Sequence, residues 1–326
     1  MRTPLMKTII LSIVCLLFCS LSTISAQDSM PDAPRRVPLA DPFILQDNGI
    51  YYAYGTDSPD GISVFVSEDL RQWQRGEGRA TGGLALHKED SYGDRWFWAP
   101  EVYRKDDRYY MFFSADEHTC IATADSPLGP FKVKDRQPLI PDERTIDNSL
   151  FIDKDGTPYM FFVRLVNRNS IWCMEMTQDL LHVKPETMVF CLKAEQPWER
   201  VEGDVAEGPF VIQRKGVYYL TYSANGYQSH DYAVGCATAT SPKGPWKKVK
   251  NNPILHSCSG LVGLGHHSFF SDKHGKLRIV FHAHNSPDNV HPRNMFISNV
   301  SFISLDDGQP TLDIDKRFIF PELKRE

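Results

Sequence analysis

The stretch DPFILQDNGIYYAYGT, residues 41–56, is two short aromatic and β-branched runs joined at Asp47-Asn48-Gly49, a hairpin signal. Its second half recurs as DRYYMFFSA at 107–115, GTPYMFFVR at 156–164, GVYYLTYSAN at 216–225 and GKLRIVFHAH at 275–284. Each copy follows a turn signal and a partner strand: PEVYRK at 100–105, SLFIDK at 149–154, GPFVIQ at 208–213 and SFFSDK at 268–273. Third strands are read at 62–73, 120–131, 171–181 and 236–246, the second and fourth sharing SPLGPF and SPKGPW. The repeat interval is about fifty to sixty residues, a super-period that a two-sheet sandwich of meanders would lack. No heptads or long 3.6-residue pattern supports a helical solenoid. The sequence therefore predicts an all-β, five-bladed β-propeller with about four antiparallel strands per blade. The hairpin aromatics Tyr52, Tyr54, Phe112, Phe161 and Phe162 are expected in the core between blades.

Outside the repeat, residues 1–26 read as a cleavable signal peptide: Lys7, the apolar run from Thr8 to Phe18, then Ile24-Ser25-Ala26. The run is too short to span a bilayer comfortably. A secreted or periplasmic protein with one domain over residues 27–326 is expected, with a lipoprotein anchor at Cys19 as the alternative. Net charge is −5 with scattered basic residues, so neither a nucleic-acid partner nor a membrane span is expected, and the protein is read as a monomer. Cys120, Cys173, Cys191, Cys236 and Cys258 lack metal-type spacing and read as buried thiols, Cys173 and Cys191 being the pair to consider for a bridge.

First strands of a propeller line its central channel. Their leading positions are read as Asp41, Glu101, Asp147, Glu207 and His266, four acids and a histidine at matching points of five repeats. Packing does not ask for such a ring, because burying unpaired carboxylates is costly. Converging carboxylates fit glycoside hydrolysis, in which one acid protonates the leaving oxygen and another activates water or attacks carbon. The chain has no GxSxG elbow, Walker loop or GxGxxG fingerprint to support another chemistry.

ADPFIL at 40–45, WAPE at 98–101, IDNSLF at 146–151, EGPF at 207–210, GLGHHS at 263–268 and the late Arg293 together resemble glycoside hydrolase family 43. The resemblance implies an inverting glycosidase with Asp41 as general base, Glu207 as general acid and Asp147 setting that acid's pKa and position. Inversion carries an expected carboxyl separation of roughly 6.5–9.5 Å. It also implies that Arg293 binds substrate, that Glu101 is structural, and that His266 helps hold a hydrated calcium or similar ion in the axial channel. No cofactor is expected for the chemistry itself. Trp98 is read as a wall of the sugar subsite, and Asn225, with Tyr222 and Tyr227, as reaching the pocket. A second reading of the histidines joins His266, His282 and His284 as transition-metal ligands. The expected substrate is an oligo- or polysaccharide carrying α-L-arabinofuranosyl, or secondly β-xylosyl, units. An endo-arabinanase, an exo-galactanase and a non-hydrolytic carbohydrate-binding propeller stand as alternatives.

Overall fold

The computed structural model describes residues 35–166 and 168–325; the leader read over residues 1–26 lies outside them. Five antiparallel sheets follow one another along the chain, and the repeated hairpins form the first two strands of each. The first strands are Ala40–Asp47, Trp98–Lys105, Thr145–Ile152, Ala206–Arg214 and Gly265–Ser271. The second strands are Ile50–Thr56, Arg108–Ala115, Pro158–Arg164, Val217–Ala224 and Leu277–Ala283. Third strands follow in blades two to five at His118–Ala124, Ser170–Glu175, Ala233–Ala239 and Asn294–Ser304. The fold is the expected five-bladed propeller. No helix among the described residues is long and apolar enough to cross a membrane.

Blade one departs from the expected pattern. The run at 62–73 is not one strand: Gly61–Ile62 pairs with Leu86–His87 in a small ladder of its own, and Phe65–Ser67 is the third strand. Gly61 permits that approach, since a Cβ there would lie 2.0 Å from the Leu86 carbonyl oxygen. Blade one also gains a fifth strand. Glu322–Leu323 runs parallel to Gln72–Arg75, and the Leu323 N–H donates to the Arg35 carbonyl at 2.7 Å. Segments near both ends of the described chain therefore meet on one blade.

Strand periodicity explains the core, because neighbouring residues point to opposite faces. Phe162 is buried with Phe112 and Met174 between blades two and three, whereas Phe161 is buried with Leu220 and Tyr222 between blades three and four. Tyr54 is buried as expected, but Tyr52 is only half-buried and packs at the edge of the core. SPLGPF and SPKGPW form matching turns, with Gly129 and Gly244 N–H groups donating to the carbonyls of Ser126 and Ser241 at 2.9 and 3.0 Å. Cys173 and Cys191 are buried free thiols.

Every first strand is interrupted by a β-bulge at the same place, between Ala40 and Phe43, Trp98 and Glu101, Ile146 and Ser149, Glu207 and Phe210, and Gly265 and Ser268. The bulged residues are Asp41, Ala99, Asp147, Gly208 and His266, all left-handed, with φ of 48°, 46°, 55°, 53° and 41°. This corrects the ring read from sequence: only Asp41, Asp147 and His266 occupy matching positions. Glu207 precedes its bulge and Glu101 follows its own. Bulges re-aim side chains and left-handed non-glycine backbone costs about 1–3 kcal/mol per residue, so the strain is concentrated where the acids converge.

The bulge N–H groups are captured from the preceding blade. Ala99, Asp147 and His266 donate to Thr56 Oγ1, Ser114 Oγ and Ser223 Oγ at 3.1, 3.0 and 2.8 Å, and Asp41 donates to His282 Nδ1 at 3.1 Å. These acceptors sit opposite Ala40, Trp98, Glu207 and Gly265 in their hairpins. In blade three that place is held by Val163, which has no side-chain acceptor. There the Asp147 carboxylate substitutes, taking the Gly208 N–H on Oδ2 at 3.1 Å.

Candidate active site

Asp41, Trp98, Ile146, Asp147, Glu207, Tyr227, His266 and Arg293 line one cavity of about 240 Å³ at the bulged end of the first strands. The structure thus brings together all three expected carboxylates, Arg293, Trp98 and His266.

Asp41 is the most heavily partnered acid. Its Oδ1 accepts from Arg293 Nη1 at 2.8 Å, and its Oδ2 accepts from Thr56 Oγ1 at 2.6 Å. Burial alone would raise its pKa, but the Arg293 guanidinium, with His266 and His282 nearby, holds it well below the usual aspartate value of 3.8. Asp41 is therefore an ionised carboxylate.

Glu207 is driven the other way. Burial pushes its pKa up to about 7, and the Asp41 charge adds to the shift. Tyr232 donates to Oε1 at 2.9 Å and Asn169 to Oε2 at 3.2 Å; both bonds favour the charged form and limit the rise. Asp147 is raised well above 3.8 by burial, then by repulsion from Glu207 and Asp41, against the opposing Gly208 hydrogen bond. Within one cavity, then, one carboxylate is kept charged and two resist ionisation. Such separation of neighbouring acids is the arrangement that divides acid from base work.

Asp41 and Glu207 are mechanically linked. His282 receives the Asp41 N–H, and its ring stacks on Tyr232, centroids 5.6 Å apart and 11° from parallel. Tyr232 in turn holds Glu207. Burial, then the Arg293 charge, keeps His282 neutral by lowering its pKa to about 3. Gly265 admits the Tyr232 ring, since a Cβ there would meet Tyr232 Cε1 at 2.3 Å.

The catalytic-type cluster on propeller blades coincides with a match to the profile of glycosyl hydrolases family 43 over residues 36–309. The chain belongs to glycosyl hydrolase family 43. This family-43 glycosidase is similar to the crystal structure of an endo-1,4-beta-xylanase from Bacteroides thetaiotaomicron VPI-5482, with 44% identity and a TM-score of 0.82, covering 89% of this chain and 98% of that one. An endo-arabinase from the same organism matches at 26% identity and a TM-score of 0.67, covering 85% and 99%. Among curated proteins, a beta-D-galactofuranosidase of Aspergillus niger is 26% identical over 265 residues, 74% of this chain and 73% of its own.

Other expected contacts of the family-43 site fall differently. Asn225 does not face the cavity. Its Oδ1 accepts from the N–H groups of Val201 and Glu202 at 2.9 and 3.2 Å, and its Nδ2 donates to the carbonyls of Trp198 and Asp231, both at 2.8 Å. The amide is fully used in pinning loops. Tyr222 is buried on Glu199. Tyr227 does reach the site, where its ring carries the Arg293 guanidinium at 4.4 Å. Trp98 is half-buried and stacks on the exposed Trp96, centroids 5.7 Å apart and 18° from parallel. Glu101, raised to about 8 by burial, bonds Tyr103 and lies behind the cavity.

Sequence reading missed Asn169 and Tyr232, although a signal for them exists. Each stands immediately before the third strand of its blade, as Arg293 does in blade five. The three loops thus present one carboxylate-binding group apiece from matching points of blades three, four and five.

The transition-metal set of His266, His282 and His284 is not assembled. Among the described residues, no three His, Cys, Asp or Glu side chains could hold a metal ion. His284 is engaged with the Tyr227 carbonyl at 2.8 Å, and His282 with Asp41. His266 Nδ1 faces Asp41 Oδ1 at 3.5 Å. The axial void behind it holds about 10 Å³, one water's worth, with Asn148 Oδ1 the buried oxygen lacking a partner. Calcium takes about six to eight oxygen ligands, so no chemical step is assigned to a metal.

Proposed function

We propose that this glycosidase removes pentose units, α-L-arabinofuranosyl first, from plant cell-wall polysaccharides or their oligosaccharides with inversion of configuration. The observation that carries the reading is the opposed ionisation of Asp41 and Glu207 across one cavity. Asp41, ionised and aimed by Arg293 and Thr56, takes the proton of a water attacking the anomeric carbon. Glu207, still protonated near neutrality, gives its proton to the leaving oxygen. Asp147 accepts the N–H of Gly208, the residue next to Glu207, and so fixes where the acid sits, while the Asp41 charge discourages early loss of the Glu207 proton. Arg293 and Trp98 contact the bound sugar. Names among the relatives, arabinofuranosidase and arabinan-cleaving enzymes beside a xylanase, support a pentose substrate. A β-xylosyl unit is the second reading, favoured by the 44% identity to the xylanase.

The test is turnover of nitrophenyl α-L-arabinofuranoside and β-D-xyloside, with the first-formed anomer followed by proton NMR. Inverted product is expected; retention, or no turnover of any pentoside or arabinan, sinks the proposal. The pH profile of kcat/KM adds a second check. Activity requires protonated Glu207, so it falls as pH rises through about 7. It requires ionised Asp41, so the acid limb lies below pH 3.8. In Tyr232→Phe a bond that favours the Glu207 carboxylate is lost, and the alkaline limb should move to higher pH. An unmoved limb would mean that Tyr232 only packs.

A further inference from the structure

A larger recess of about 760 Å³ opens on blade three beside the cavity. Asn169 connects the two: it lines the recess and donates to Oε2 of Glu207, which lines the cavity, at 3.2 Å. The recess therefore lies on the side of the proton donor, where the leaving group departs. Its wall is aromatic. Phe190, on the outer strand Val189–Lys193, is 46% exposed and meets Trp172 edge-on with centroids 5.5 Å apart. Arg164 covers one face of Trp172 at 4.4 Å. An exposed aromatic on a blade edge lowers solubility unless something apolar, such as a sugar face, packs on it.

Charge decides what kind of sugar. Each cation of the recess already lies against a carboxylate: Arg164 against Glu143 at 2.6 Å, Lys193 against Glu195 at 3.9 Å, and Arg200 and Arg168 against the one Asp204 that they share. A uronic acid would compete with these carboxylates for the same cations, whereas a neutral chain would not.

We propose that this recess binds the neutral polysaccharide backbone from which the pentose is cleaved, with Phe190 and Trp172 as its stacking platform. The assignment rests on the proposed acid role of Glu207. It makes the enzyme selective for side-chain pentoses on a polymer over small pentosides. The experiment compares kcat/KM on arabinoxylan oligosaccharide and on nitrophenyl arabinofuranoside for wild type and Phe190→Ala, an exposed position on the outer strand of its blade. The polymer-to-small-substrate ratio should fall roughly tenfold, the loss of about one stacking contact. A ratio unchanged within twofold overturns the proposal. If wild type turns over nothing, the functional reading fails instead. Binding of the same oligosaccharide to Glu207→Gln, with and without Phe190→Ala, then tests the recess separately. A roughly tenfold weaker Kd supports it, and an equal Kd overturns it. Tighter binding of a glucuronic-acid-substituted xylo-oligosaccharide than of its neutral counterpart also overturns it.

Discussion

Glu207→Gln should lower kcat on sugar-leaving-group substrates about 10²–10⁴-fold while leaving the fold intact. Gln keeps the shape of Glu207 and still accepts from Tyr232, and the Asn169 amide can turn its oxygen toward the new NH₂ group. What is lost is the transferable proton. The deficit should therefore shrink with a dinitrophenyl leaving group, which departs without protonation. Equal loss on good and poor leaving groups would remove Glu207 from the acid role. Stability should move the other way. The folded pKa of Glu207, about 7, lies above the ordinary 4.5, so its ionisation opposes folding once the pH exceeds that ordinary value, with the full cost above about 7. At pH 8 the Gln variant should melt no earlier than wild type.

Asp41→Asn should also lose about 10²–10⁴-fold in kcat, now irrespective of leaving group, because water activation rather than departure is impaired. Asn tolerates the left-handed φ of 48°, so the backbone change is small. Electrostatics are not small. Arg293 has only 9% of its side chain exposed, its Nε lacks a partner, and its guanidinium relies on Asp41. Taking away one member of a buried pair costs about 3–5 kcal/mol. The folded pKa of Asp41 is depressed, so its stabilisation is present above the unfolded value and disappears as pH falls through the folded one. Denaturant titrations at pH 6 should show Asp41→Asn clearly less stable than wild type. Equal stability would mean that Arg293 finds another partner, and its role in fixing the base would then be wrong.

The two variants thus separate by stability as well as by leaving-group dependence. Both patterns follow from one carboxylate being held charged and the other being held protonated.

Blade number and the hairpins were readable because aromatic alternation and turn residues are local properties. The matching of the acids was not, because a bulge inserts a residue without disturbing composition. Alternation counted through Ala99-Pro100 or Gly208-Pro209 slips, and Glu101 was aligned with Asp41 where Ala99 belongs. Asp41, Asp147 and Glu207 were found by their motifs, and the cavity contains all three. Asn225 and Tyr232 show where residue type stops informing. Both belong to the blade-four region after the second strand, and either could reach a sugar. Backbone N–H and carbonyl groups of neighbouring loops claim the whole Asn225 amide, whereas Tyr232 passes over Gly265 to Glu207. Only the three-dimensional path of those loops separates the two.

The parallel strand Glu322–Leu323 on the edge of blade one has a temporal meaning. Asp41 is made early in synthesis and Arg293 late, and they meet only when the first and fifth sheets come side by side. Pairing between such distant segments is slow relative to forming each local hairpin. A nascent chain can therefore carry four finished sheets before Asp41 has met Arg293. Asp41 becomes a matched ion pair only when the circle is sealed, so on its proposed role as base the appearance of hydrolytic activity would serve as a clock for closure.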